Sequence, residues 1–119
     1  MPRTTRYKSR MDLMQGTLDL IILQTLRRGP QHGYGISQAI NAASREAFKA
    51  DTGTLYPALH RLEEQGWVAA EWKTTDNNQR AKYYRLTPAG RKQLASEQSR
   101  WGQFVEAMAS LMKAQDHET

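Results

Sequence analysis

The sequence contains no cysteine. That absence removes disulfide-stapled scaffolds, thiol nucleophiles, iron–sulfur clusters and Cys-based zinc fingers together. Histidine is sparse: His32, His60 and His117 stand far apart, without metal-ligand spacing, so neither a metal nor a cofactor is expected. No apolar run reaches the length of a membrane span. The basic start and residues 18–26 have the outline of a secretion signal, but Asp19 and Gln24 interrupt it. Arg27-Arg28-Gly29-Pro30 then offers no small-residue cleavage site. A cytoplasmic protein without a membrane partner is the expectation. Internal repeats and low-complexity tracts are lacking too. The serines and carboxylates form no nucleophile–base set beside a phosphate-binding glycine loop, so nothing points to an enzyme.

What is present fits one domain. The chain has 119 residues, 39% of them hydrophobic and 24% charged, enough for a single modest core. Its formal charge is +5, which favours a polyanionic partner such as nucleic acid. Arg3, Arg6, Lys8 and Arg10 supply four of those five charges from a stretch, residues 1–11, that holds no acid. The remainder is nearly neutral. This basic arm is either a solvated tail or a groove-tracking extension of a DNA-binding body.

Helical periodicity runs over residues 12–28. Met14, Leu18, Ile21, Ile22 and Leu26 fall on one face, with Leu13, Leu20 and Leu23 opposite, so this helix is buried on two sides. Gly29-Pro30 stops it. A second helix follows over residues 34–43, with Ile36, Ala39, Ile40 and Ala43 on a narrow face. A third runs from residue 52 or 54 to 65, with a threonine cap, Pro57 in or near its first turn, an inner stripe of Leu55, Leu59 and Leu62, and Gly66 closing it. The period then changes. Residues 67–73 and 82–86 are short, aromatic-rich strands joined through Asp76-Asn77-Asn78, which makes an antiparallel hairpin. Thr87-Pro88 starts a last helix over residues 88–113, ~39 Å long.

This order predicts a mainly α fold with a small β-hairpin (α+β), a winged helix-turn-helix plus a long C-terminal dimerisation helix. The expected units are a flexible basic arm (1–11), a DNA-binding domain (12–87), the dimerisation helix (88–114) and a frayed tail (115–119). With its leucines inward, the third helix points Thr54, Pro57, His60, Arg61 and Glu64 outward, with Thr52 and Tyr56 on the flank. Such a face suits a DNA major groove. Arg80 and Lys82 at the wing tip, with Lys73 at its base, suit phosphates. Plainer readings stand beside these. Tyr56 either contacts DNA or wedges the helices together. His60 is a solvent or phosphate neighbour, and Arg61 contacts DNA or pairs with Glu64. Tyr34, Tyr83 and Tyr84 are packing residues first.

The last helix repeats Leu94, Trp101 and Met108 every seven residues, with Phe104 and Leu111 at matching positions and Val105 and Met112 beside them. Such a stripe needs a partner. A second copy of the chain uses every face; the alternative is the first helix of the same chain. Gly102 would allow close approach of another backbone.

Gly53-Thr54-Leu55-Tyr56-Pro57-Ala58-Leu59-His60-Arg61-Leu62-Glu63, followed by Gly66 and Trp72, resembles the signature of the PadR family of transcriptional regulators. Gln15-Gly16-Thr17-Leu18-Asp19-Leu20, His32-Gly33-Tyr34 and Lys82-Tyr83-Tyr84-Arg85-Leu86-Thr87 with Gly90 resemble its other motifs, in the right order over about residues 12–95. The resemblance implies a repressor on a pseudo-palindromic operator, dimeric through the last helix, and a site for flat aromatic effectors between the first and last helices. By that resemblance Met11, Leu18, Trp101, Phe104 and Met108 line the effector pocket, where Trp101 is otherwise plain interface core. Two departures stand out. Gly35 replaces a frequent acidic residue, and Asn77-Asn78-Gln79 with Arg80 alone replaces a glycine and several arginines at the wing tip. A winged-helix protein-interaction module without sequence-specific DNA binding remains the rival class.

Overall fold

The computed structural model describes residues 16–118. Residues 1–15, which carry the basic arm, Met11, Met14 and the expected start of the first helix, lie outside the described residues, as does Thr119. Side chains are described up to residue 114.

Helix α1 (residues 16–26) sinks Leu18, Ile22, Leu23 and Leu26 into the core and holds Leu20 and Ile21 half-buried at its margin. The first element after it is one that the sequence did not announce. Strand β1, Gln31–His32, pairs antiparallel with the later hairpin, Gln31 opposite Tyr84 and His32 opposite Tyr83. The sheet therefore has three strands, not the expected two. A two-residue strand is too short to show alternation.

His32 also caps α2 (Gly33–Ala43), its Nδ1 accepting from the Gly35 amide at 3.0 Å. Ile36 and Ile40 turn inward. Helix α3 (Thr52–Glu64) buries Leu55, Ala58, Leu59 and Leu62 at 1% exposure or less. Its cap is Asp51 and not a threonine: Asp51 Oδ1 accepts from the Thr54 amide at 3.0 Å. A carboxylate there also meets the positive end of the helix. Pro57 lies beyond the first turn, inside the helix, so the Gly53 carbonyl four residues back has no amide donor in the helical ladder. Gly66, at φ +78°, reverses the chain.

Strands β2 (Val68–Thr74) and β3 (Arg80–Leu86) form the wing, in register Val68 opposite Leu86 through Thr74 opposite Arg80. The sheet order is β1-β3-β2. Asn78, at φ +62°, sits in the turn, as its side chain tolerates.

Helix α4 (Pro88–Glu118) runs beyond its expected end. Its start is tied to the α3–β2 turn, for Thr87 Oγ1 accepts from the Gly90 amide at 2.9 Å and donates to the Gly66 carbonyl at 2.6 Å. Gly90 is required, since a Cβ there would overlap the Trp67 carbonyl oxygen. Leu94 is 4% exposed, within the core of its own chain. From residue 98 to 114 every side chain is exposed. A helix of this length extends ~46 Å, and the molecule measures 62 × 36 × 27 Å. No helix among the described residues is long and apolar enough to cross a membrane.

Candidate nucleic-acid interface

The burial of Leu55, Leu59 and Leu62 fixes the orientation of α3. At about 100° per residue, Gly53, Pro57, His60 and Glu64 face away from the core. Tyr56 and Glu63 lie on one flank, and Thr54 and Arg61 on the other. Contacts agree with that division. Lys82 Nζ stands 3.5 Å from Glu63 Oε1 on the wing side. Arg61 Nη2 donates to Asp19 Oδ1 of α1 at 2.7 Å on the opposite side.

Within the chain Arg61 therefore pairs with Asp19 and not with Glu64. It bridges α3 to α1 across 42 residues of chain. Glu64 instead lies 3.6 Å from His60 Nε2, an ion pair when the imidazole is protonated. Burial pushes the Asp19 carboxyl above its ordinary 3.8; Arg61 pulls it back, and Glu97 of α4 raises it further. Desolvation outweighs a short ion pair because the carboxylate gives up water on several sides and gains one charged partner.

Tyr56 is 46% exposed and leans on the start of α2, where a Cβ added to Gly33 would lie 2.6 Å from its hydroxyl. Wedge and surface are thus both features of this side chain. It shares a groove with His32, Tyr34, Trp72, Arg80 and Lys82. Tyr34, expected as packing, is 63% exposed, and Trp72 58%. Neither was singled out for this face, although the motif positions of both were legible. Tyr84, 4% exposed, packs in the core, and burial raises its phenol above the ordinary 10.0; Tyr83 is half-buried with its ring 5.3 Å from that of His32.

Strand alternation divides the wing cations. Arg80, Lys82 and Trp72 share one sheet face, because Trp72 pairs with Lys82 and side chains alternate. That face is turned toward α3, as the Lys82–Glu63 contact requires. Lys73 stands on the other face, 3.5 Å from Glu71 and over the Tyr83 ring. The three cations grouped from sequence do not converge. Arg80 lies over the Trp72 ring, 5.4 Å to the centroid, and among the described residues it has no carboxylate partner. Thr52, Thr54 and Pro57 are exposed.

Within one chain the expected effector residues do not line a single cleft, although the Trp101 and Phe104 rings stack 5.6 Å apart. Leu18 is in the core and borders a cleft toward α3. Trp101 borders a different cleft, with Leu20, Gln24 and Thr25 of α1 and Gln98 of α4. Phe104 and Met108 line neither, and Met11 is outside the described residues. Gln98 Nε2 donates to Gln24 Oε1 at 2.6 Å, joining α4 to α1 beside Trp101. No group of His, Asp or Glu among the described residues is arranged for a metal ion.

Residues 22–96 match the model of the transcriptional regulator PadR-like family. The chain belongs to that family. A transcriptional regulator of Mycobacterium tuberculosis is 35% identical over 72% of this chain and 77% of its own. The solved structure of a transcriptional regulator from Clostridium thermocellum superposes with a TM-score of 0.75, at 31% identity, covering 83% of this chain and 96% of that one. A PadR family regulator from Eggerthella lenta gives a TM-score of 0.71 at 28% identity, over 92% and 94% of the two chains. The PadR-like fold, four helices with a three-stranded antiparallel sheet, and a role in transcription regulation follow. DNA binding is what the family implies.

Proposed function

We propose that this PadR-like chain is a dimeric, sequence-specific repressor. Residues 12–87 are its DNA-binding unit and residues 88–114 its dimerisation helix. The observation that carries the reading is the bare outer face of α3, with Pro57 and His60 exposed and Tyr56 and Arg80 beside it in one groove. Thr52, Thr54, Tyr56 and His60 address base edges and nearby phosphates, while Pro57 shapes the approach. Arg80 takes a phosphate from the wing's inner face and Lys73 one from its outer face. Arg61 and Lys82, held by Asp19 and Glu63, set the position of α3 and reach phosphate only from its flanks. Arg3, Arg6, Lys8 and Arg10 add sequence-independent attraction.

Dimerisation rests on the stripe Trp101, Phe104, Val105, Met108, Leu111 and Met112, each between 37% and 62% exposed in the single chain. Leu94, assigned to the same stripe from its spacing, serves the chain's own core. Two α3 helices then enter major grooves one turn apart, ~34–36 Å. A small aromatic effector in the Trp101 cleft relieves repression by binding better to a dimer whose reading helices miss that spacing.

The test is binding to the promoter of the chain's own operon at ~150 mM salt with competitor DNA. Retained preference for one sequence supports the reading. One observation favours the rival, an interaction module: the acids Glu63 and Glu64 partly neutralise α3's own face. Affinity that collapses equally for every sequence would overturn the sequence-specific reading.

A further inference from the structure

Thr54, Pro57 and Arg61 form a ridge on α3 at i, i+3 and i+7. Helix α1 approaches this ridge without closing on it, and a cavity of about 340 Å³ lies between them. Buried Leu18, Ile40 and Ala50 with half-buried Phe48 form its inner lining; Lys49 and Arg61 stand toward the outside. Among the described residues, the two charged ones in the lining are both cations. The neighbouring Trp101 cleft shares Ile21, Ile40 and Phe48 and, among the described residues, is lined by no charged one. The two cavities are therefore built for different chemistry.

Both cations line the cavity. The chain beside Lys49 is fixed by Ser37 Oγ, which donates to the Ala50 carbonyl at 2.6 Å, and by the Ala50 amide, which donates to Asn41 Oδ1 at 3.4 Å. Among the described residues Lys49 makes no ion pair. Asp19 engages Nη2 of Arg61, and a guanidinium has further N–H donors. A volume of this order is at the small end of ligand sites.

We propose that this cavity binds a small organic anion with an apolar body, a medium-chain carboxylate in class. Its tail lies against Leu18, Ile40 and Phe48, and its carboxylate lies between Lys49 and Arg61. A ligand there sets negative charge beside the first turns of α3 and competes with Asp19 for Arg61. Weakened DNA binding is the consequence; that consequence rests on the DNA-binding reading, whereas the binding itself does not.

Calorimetric titration of the full chain with octanoate tests the site, with octan-1-ol and octyltrimethylammonium as uncharged and cationic controls. Saturable octanoate binding is expected, well above that of either control. Lys49→Glu, an exposed substitution, is expected to weaken it by about fivefold or more, and Lys49→Arg to retain it. No saturable binding, equal binding of octan-1-ol, or indifference to Lys49→Glu each overturns the proposal. Octanoate should also lower affinity for an operator fragment. If no DNA sequence is preferred even without octanoate, the DNA-binding reading fails while the calorimetric result decides the site.

Discussion

Helices α3 and α4 carry similar apolar stripes and meet opposite surroundings. In α3, Leu55, Leu59 and Leu62 are at most 1% exposed. In α4, Leu94 is buried, yet Phe104, Leu111 and Met112 further along are 55–62% exposed. A stripe announces that a helix has a partner without saying which chain supplies it. The short loops around α3 return it to its own sheet, whereas α4 outruns the body that it starts from. Its first three turns, as far as Gln98, meet the body, and the apolar stripe beyond them is exposed.

The largest effect should come from the buried stripe. Leu59→Ala leaves a cavity among fully enclosed neighbours and should cost about 2–5 kcal/mol in denaturant unfolding. A cost below 1 kcal/mol would mean that the α3 stripe is no better packed than that of α4.

Charging the exposed stripe should act on assembly instead. Phe104→Glu combined with Met108→Glu should raise the dimer dissociation constant by about a hundredfold or more, with sedimentation falling to the monomer value and the helical circular dichroism of the body retained. Unchanged sedimentation would show that α4 serves no second copy.

Gly53 sharpens the contrast on α3 itself. A Cβ there would meet only Asp51 Oδ1 at 3.5 Å, an ordinary contact, so no crowding within the chain demands glycine. Gly53→Ala should stabilise the fold by about 0.5–1 kcal/mol while weakening specific DNA binding about tenfold in a gel-shift titration, through lost close approach. If both stability and DNA binding rise, the centre of this face lies away from DNA.

The smallest effect concerns the joint between α1 and α3. Asp19 is raised above its ordinary value by burial, so its favourable linkage to folding is full below 3.8 and is lost as pH rises through the raised value. In the wild type, relative to Asp19→Asn, the melting temperature should therefore gain slightly on acidification. A difference of the opposite sign would mean that the Arg61 pairing outweighs desolvation.

Some of this was readable from local pattern. The leucine stripe of α3, the Thr87-Pro88 start of α4 and the presence of an antiparallel hairpin depend on neighbours within a few residues, which the chain order carries. Other features were not readable. Asp51 displaced the expected threonine cap because the helix begins one residue earlier than its apolar pattern shows. Strand β1 is invisible because two residues have no period. Lys73 was grouped with Arg80 and Lys82 because all are cations near a turn; strand register then set it on the other face.

Arg61 marks the boundary between the two kinds of information. Composition and periodicity determined that this chain forms helices in this order with one core, and its motifs determined the family. They also placed Arg61 away from the leucines. Only the tertiary structure decided that Asp19, far off in sequence, would meet it, that Leu94 would serve the body, and that the rest of the α4 stripe would stay uncovered. Local free energies select elements, because propensity and apolar period act within a few residues. Partners across the chain are selected by which surfaces exclude water together, and that depends on how all the elements pack.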